Sequence, residues 1–154
     1  MRVVRNPDRT AAAGLNRAVA AARAPFIIRL DARTRPAPDY LDACLEAGRD
    51  SEADCVGGAM IPCGEGLVGR AFAALSRGFF GPGGADYRRP PLTRREVDTV
   101  YLGAWPRDVL VAVRGFDESL MRNQDAELAR RLRQRGGRIV LDPAIRSTYR
   151  VREK

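Results

Sequence analysis

Two apolar runs with strand character dominate the first half of the chain. They are Phe26-Ile27-Ile28-Arg29-Leu30 and the segment DCVGGAMIP at 54–62. Each follows a stretch of helical periodicity, and strands alternating with helices predict a layered α/β fold. Thr10 is placed to cap a helix whose inward face is Leu15, Ala18, Val19 and Ala22. Pro36 and Pro38 are expected to open a second helix, with Tyr40, Leu41, Cys44 and Leu45 inward and Gly48 past its end. Gly57-Gly58 inside the second strand predicts a bulge or a close backbone approach. A short helix is expected at 71–75, and 78–96 reads as one long irregular stretch. A strand over 97–104, a turn at 115–118, a helix capped by Asn123 and running to Arg135, and a last strand over 138–141 complete the expectation.

At 154 residues the chain is read as a single domain spanning 1–154, large enough to bury a core without cross-links. No apolar stretch is long enough to cross a membrane, and MRVVRNPDRT lacks the apolar centre of a secretory signal. The chain has no histidine and three cysteines, none in C-x-x-C spacing. Those counts exclude His-based triads and Cys/His zinc sites and predict a reducing, cytoplasmic setting. Acid–base chemistry therefore falls to carboxylates. The net charge is +8, almost all of it from arginine. It reads either as attraction for phosphate, nucleic acid or a membrane face, or as an arginine-rich solvated surface.

Two carboxylates stand apart. Asp31 ends the first apolar run, and α/β sheets bind ligands beyond the carboxyl ends of strands. It reads as the ligand of a hard cation or as a turn residue before a proline-rich loop. Asp125 falls in the first turn of the helix capped by Asn123. It reads as a general base or as a surface acid matched to the helix dipole.

The ordered segments NPDRTAAAGLN, FIIRLDARTRP, CVGGAMIP, GFFGPGGADYR and GFDESLMRNQDAELARRLR resemble those of family 2 glycosyltransferases. The likeness is to the bacterial exopolysaccharide type that includes succinoglycan-biosynthesis enzymes, and it covers almost the whole chain. The resemblance implies a partial Rossmann-like glycosyltransferase A fold, a mixed sheet with flanking helices. It implies inverting transfer of a sugar from a nucleotide diphosphosugar, a UDP-sugar, to a hydroxyl on a glycan or lipid-linked acceptor. By the same resemblance Asp125 is the catalytic base, with Gln124 as its pair residue and Asn123 supporting it. Asp31 is the first acid of a metal motif for Mg or Mn. Gly103, Ala104 and Arg107 lie on the acceptor side. Arg33, Arg150 and Arg152 lie toward the diphosphate. The setting implied is the cytoplasm, with peripheral contact at the inner face of the membrane, and no nucleic acid as partner.

The sequence departs from the family pattern at Arg33, which stands at the second ligand position of the metal motif. Arginine cannot ligate a metal. The chain also reads as the C-terminal two-thirds of the usual catalytic domain, without its first two strand–helix units, roughly 60–80 residues at the size of such units. Two further classes stay open at this stage. One is an inactive fragment or interaction module, suggested by both departures. The other is a basic nucleic-acid-binding domain, suggested by the charge and a pI near 10.4, although no binding motif accompanies them.

Overall fold

A computed structural model describes residues 2–63, 87 and 93–150. The helix expected at 71–75, most of the 78–96 stretch and Arg152 lie outside the described residues. In chain order the elements are α1 (Ala11–Ala21), β1 (Phe26–Ile28), β2 (Thr34–Pro36), α2 (Tyr40–Ser51), β3 (Cys55–Cys63), β4 (Arg95–Glu96), β5 (Tyr101–Pro106), α3 (Arg107–Ala112), α4 (Gln124–Gln134) and β6 (Ile139–Arg150). The sheet has six strands in the order β1-β5-β3-β6-β2, with β4 also on β6. Among the described residues only β3 and β6 run parallel and the other pairs are antiparallel, so the sheet is mixed.

Period-two alternation along the central strands sorts the core into two faces. Cys55, Trp105, Ile139 and Leu141 pack with Leu110 of α3 and Leu128 and Leu132 of α4, and with Leu15 and Val19 of α1. Their strand neighbours Val56, Ala104 and Val140 point the other way, onto Tyr40, Ala43, Cys44 and Ala47 of α2. Helices thus cover both faces of the sheet, as the sequence alternation predicts.

Local chemistry sets the helix ends. Thr10 Oγ1 accepts from the Ala13 amide at 3.3 Å, closing the first turn of α1 as expected. Asn123 does stand before α4, but in a left-handed conformation (φ 63°), and its side chain makes no capping hydrogen bond. The expected capping role is therefore corrected.

Four further expectations also change. Pro36 does not open α2; it ends β2, an edge strand that a residue without an N–H can occupy, and the helix begins at Tyr40. Leu41 is exposed, and Ala43 and Ala47 line the inward face with Tyr40 and Cys44. Val97 and Val100 are buried as core plugs, and the strand proper is Tyr101–Pro106. The last strand runs far beyond Leu141, to Arg150, because its second half pairs with both β3 and β2.

The paired glycines mark a bulge. Gly57 lies opposite Leu141, whereas Ala59 lies opposite Arg146, so β6 makes an excursion across from Gly58. Asp142, itself buried, anchors that excursion by accepting from the Ala144 amide at 2.8 Å and from Arg94 Nε at 2.5 Å.

Candidate active site

β1 delivers Arg29 and Asp31 to the end of the sheet. The Arg29 amide still bonds the Gly103 carbonyl at 3.3 Å, and a turn closed by Thr34 N to Asp31 O at 2.9 Å follows. The Arg29 guanidinium holds the Asp31 carboxylate with both arms of its fork, Nε to Oδ1 at 2.8 Å and Nη2 to Oδ2 at 3.1 Å. Its remaining nitrogen, Nη1, donates to Asp125 Oδ1. One buried cation therefore joins two carboxylates that lie far apart in sequence. Arg29 is 12% exposed, against 37% for Asp31 and 45% for Asp125.

The support beneath Arg29 comes from α1. Asn16 Oδ1 accepts from the Phe116 amide and Asn16 Nδ2 donates to the Phe116 carbonyl, both at 2.8 Å. That clamp sets the Phe116 ring 5.9 Å under the Arg29 guanidinium and edge-on to Trp105. From α4, Arg131 donates to the carbonyls of Val113 and Gly115 and pairs with Glu127. The turn carrying Phe116 is thereby tied to the helix carrying Asp125.

Burial pushes the Asp125 pKa above the usual carboxylate range, outweighing the Arg29 charge that lowers it. For Arg29 the order reverses: burial alone would lower its pKa, but Asp125 and Asp31 together raise it. Arg29 thus keeps its charge, while the Asp125 carboxyl is held above its ordinary pKa. Of the cysteines, Cys44 and Cys55 are buried, and burial pushes the Cys44 thiol up to about 12, so neither is an activated nucleophile.

The other sequence candidates fall in different places. Gly103 adjoins the Asp125 side of a small cavity of about 10 Å³, room for one water at most. Ala104 is fully buried under α2. Arg107 begins α3; its amide bonds Pro25 O at 2.7 Å and its Nε is buried without a partner among the described residues. Gln124 is half-buried at the start of α4. Arg33 and Arg150 come together, but in a separate open hollow of about 520 Å³ that neither Asp31 nor Asp125 lines. Sequence reasoning missed Arg29, Phe116, Asn16 and Tyr101. The Tyr101 hydroxyl meets Thr34 Oγ1 at 2.6 Å, and its ring packs on Tyr87 and Tyr149.

A resident divalent ion does not fit this donor set. Both oxygens of Asp31 are engaged by Arg29, the next motif position is a cation, and no group of three ligating side chains stands together among the described residues.

Replacement of Arg29 by Met leaves two carboxylates facing each other without a cation. Because both are more than a third exposed, we expect a loss of only about 1–2 kcal/mol in urea unfolding. A second change, Asp31→Asn, is expected to recover part of it. A single variant as stable as the parent would show that the bridge contributes nothing.

This arrangement, a mixed sheet covered on both faces with a charged centre at one end, is the glycosyltransferase A architecture. The crystal structure of GalNAc-T7 with UDP, GalNAc and Mn2+ superimposes with a TM-score of 0.70 at 14% identity, over 94% of this chain and 31% of that one. Residues 1–99 match the profile of Glycosyl transferase family 2, and the chain belongs to that family. Succinoglycan biosynthesis protein ExoA of Rhizobium meliloti (strain 1021) is 32% identical over 160 residues, covering 97% of this chain and 46% of that protein. The chain thus spans about half the length of this curated relative. Among the described residues no helix is long and apolar enough to cross a membrane.

Proposed function

We propose that the chain carries out inverting sugar transfer from a nucleotide diphosphosugar to a hydroxyl acceptor, with Asp125 as the base. The observation that carries this reading is the single guanidinium joining Asp125 to Asp31 at the end of the sheet. In the reaction an acceptor oxygen attacks the anomeric carbon as the bond to the diphosphate breaks. The electron pair leaves with the phosphate oxygen, and the acceptor proton passes to the Asp125 carboxylate. Arg29 fixes that carboxylate and grips Asp31 with the other two nitrogens of its fork. Negative charge growing on the leaving group is met by arginine, with Arg33 and Arg150 in this role and Arg152 assigned to it from the sequence alone.

Family membership and the likeness to ExoA support a transferase of surface or exopolysaccharide synthesis. The UDP in the GalNAc-T7 structure supports a UDP-sugar donor, and a hexosyl group is the unit proposed to move. The acceptor proposed is a glycan or lipid-linked glycan reached from the inner face of the membrane. Gly103 and Arg107 are kept as the acceptor side, with Asn123 and Gln124 supporting the base; Ala104, fully buried under α2, only backs that side from the core.

The test is transfer of labelled sugar from a panel of UDP-sugars, followed against pH. Asp125 must be ionised to accept a proton, so the rate falls as pH drops through its pKa. Because burial raises that pKa, the fall is expected to begin above the range of an ordinary aspartate. Arg29→Met removes the cation that holds the pKa down and is expected to move the acid limb further upward. A rate with no acid limb, or one unmoved in the Arg29 variant, would exclude Asp125 as the base.

A further inference from the structure

We propose that Asn16 is a positioning residue for the transfer reaction: its carboxamide grips the peptide of Phe116, and through the Phe116 ring and Arg29 it sets where Asp125 stands. The inference rests on the sugar-transfer reading for what Asp125 then does, and on the contacts themselves for the rest. Asn16 Oδ1 accepts from the Phe116 amide and Asn16 Nδ2 donates to the Phe116 carbonyl, both at 2.8 Å. The Phe116 ring centre lies 5.9 Å from the Arg29 guanidinium, a cation–π contact. Arg29 Nη1 in turn donates to Asp125 Oδ1. Among the described residues Asp125 Oδ2 has no hydrogen-bond partner, so one oxygen is pinned and the other is left to receive a proton.

Two features mark this clamp as a device for placement. Both backbone groups of one residue are held by one planar amide, which offers an acceptor and a donor side by side and so fixes the twist of that peptide as well as its position. The approach is also so close that a Cβ on Gly115 would overlap Asn16 Oδ1, and Gly115 itself sits at φ +62°, so glycine is required there on both counts. From the other side the same turn is held by α4. Arg131 donates to the Val113 carbonyl and, at 2.7 Å, to the Gly115 carbonyl, while Glu127 Oε1 fixes its Nε at 2.7 Å. The helix carrying Asn16 and the helix carrying Asp125 therefore meet on the turn that presents Phe116. Phe116 is buried and edge-on to Trp105, which leaves its ring no second place to sit.

The lever is the guanidinium plane. Its Nε and Nη2 are fixed on Asp31, so a shift of the ring beneath it tilts the plane about that fork and carries Nη1, with the Asp125 carboxylate, out of line. A displacement of about 1 Å at reacting groups costs on the order of 10²-fold in rate. The loss belongs to kcat, because none of the four residues is among the arginines assigned to the diphosphate.

Sugar transfer by Asn16→Ala, Phe116→Leu and the double variant tests the relay. Gly136→Ala is the control for lost stability, since a Cβ there meets nothing within 4 Å. We expect kcat to fall about tenfold to a hundredfold in Asn16→Ala, with KM for the UDP-sugar changed less than about twofold. Gly136→Ala is expected to keep the parental kcat. In the Phe116→Leu background the Asn16 change is expected to cost less than about twofold more, because both act through one ring. Asn16→Asp keeps an acceptor for the Phe116 amide but faces Glu118, whose Oε1 now lies 2.8 Å from Asn16 Nδ2. Asn16→Asp/Glu118→Gln is therefore expected to recover part of the kcat lost in Asn16→Ala. A parental kcat in Asn16→Ala, a loss confined to KM, or losses that multiply in the double variant would each overturn the proposal. Two readouts without turnover separate it from the sugar-transfer reading. The emission of Trp105, the one tryptophan of the chain, and the Arg29 Nε–H resonance in nitrogen-15 NMR, assigned with Arg29→Lys, are expected to move in Asn16→Ala and to hold in Gly136→Ala. An Arg29 resonance unmoved by the loss of Asn16 overturns the relay whatever the rate. A resonance that moves, together with transfer unaffected by Asp125→Asn, would keep the placement of Asp125 by Asn16 and discard Asp125 as the base.

Discussion

Asp125→Asn is expected to reduce sugar transfer by about 10²–10⁴-fold, the range over which a positioned general base contributes. The change is nearly isosteric and removes only the ability to hold a proton. An amide oxygen can still accept from Arg29 Nη1, so the bridge to α4 survives in weakened form. The loss should appear in kcat more than in KM, because proton removal belongs to the transition state and not to donor binding. Stability should change little, and in a favourable direction if at all. Burial already disfavours the charged form of Asp125, which raises its pKa, so a neutral residue there escapes a penalty that the native carboxylate carries at neutral pH. Asp31→Asn offers the comparison. Its carboxylate is engaged by two arms of Arg29, so its removal frees that fork and should disturb the position of Asp125 before it disturbs chemistry. Transfer that persists in Asp125→Asn at the parental rate would place the base elsewhere, since the chain has no histidine to take its part.

Which parts of this centre could be read from the chain follows from how local each signal is. Thr10 with α1 and the periodic face of α4 announce themselves within one or two turns. The glycine pair in β3 announces a bulge because no other residue tolerates such an approach. Asp31 reads as an acid ending an apolar run and Asp125 as an acid opening a helix, so both carboxylates of the bridge are legible from local pattern. Arg29 is not. Within Phe26–Leu30 it reads as one polar residue in an apolar strand, and its importance arises only when α4 arrives beside β1. Phe116 likewise acquires its role from Asn16, a contact spanning 100 positions. The segment GLN that contains Asn16 was part of the family resemblance, but nothing local says what its amide holds. Valines misled in the opposite direction: Val97 and Val100 favour strands, yet here they fill the core between β4 and β5, although the Val97 amide still bonds the Ile139 carbonyl of β6 at 2.9 Å. The reach of β6 to Arg150 was legible in principle. Ile145, Ser147 and Tyr149 alternate with Arg146, Thr148 and Arg150, a period of two that continues past the proline at 143.

The largest effect on stability is expected at Gly58. A Cβ built there overlaps the carbonyl oxygen of Ile145 and comes within 2.5 Å of its carbonyl carbon. The obstruction is backbone on the neighbouring strand and not the end of a mobile side chain, so it cannot swing aside. Relief requires β3 and β6 to part along their parallel pairing, where Val56 and Val140 also hold the α2 face together. The excursion of β6 at that point is fastened by Asp142 to Ala144 and Arg94, which resists such a shift. Gly58→Ala should therefore cost about 3 kcal/mol or more, the upper end of overpacking penalties, and lower the melting temperature by roughly 6–12 °C for a chain of this size. Gly136→Ala supplies the contrast. That glycine sits at φ +79° with nothing within 4 Å of a built Cβ, so only the left-handed backbone opposes the methyl, at about 1 kcal/mol. Urea unfolding of the two variants beside the parent decides the matter. A Gly58 variant no less stable than the Gly136 variant would mean that the two strands separate freely, and the bulge would then be a loose end of the sheet instead of the joint that holds both helical layers in register.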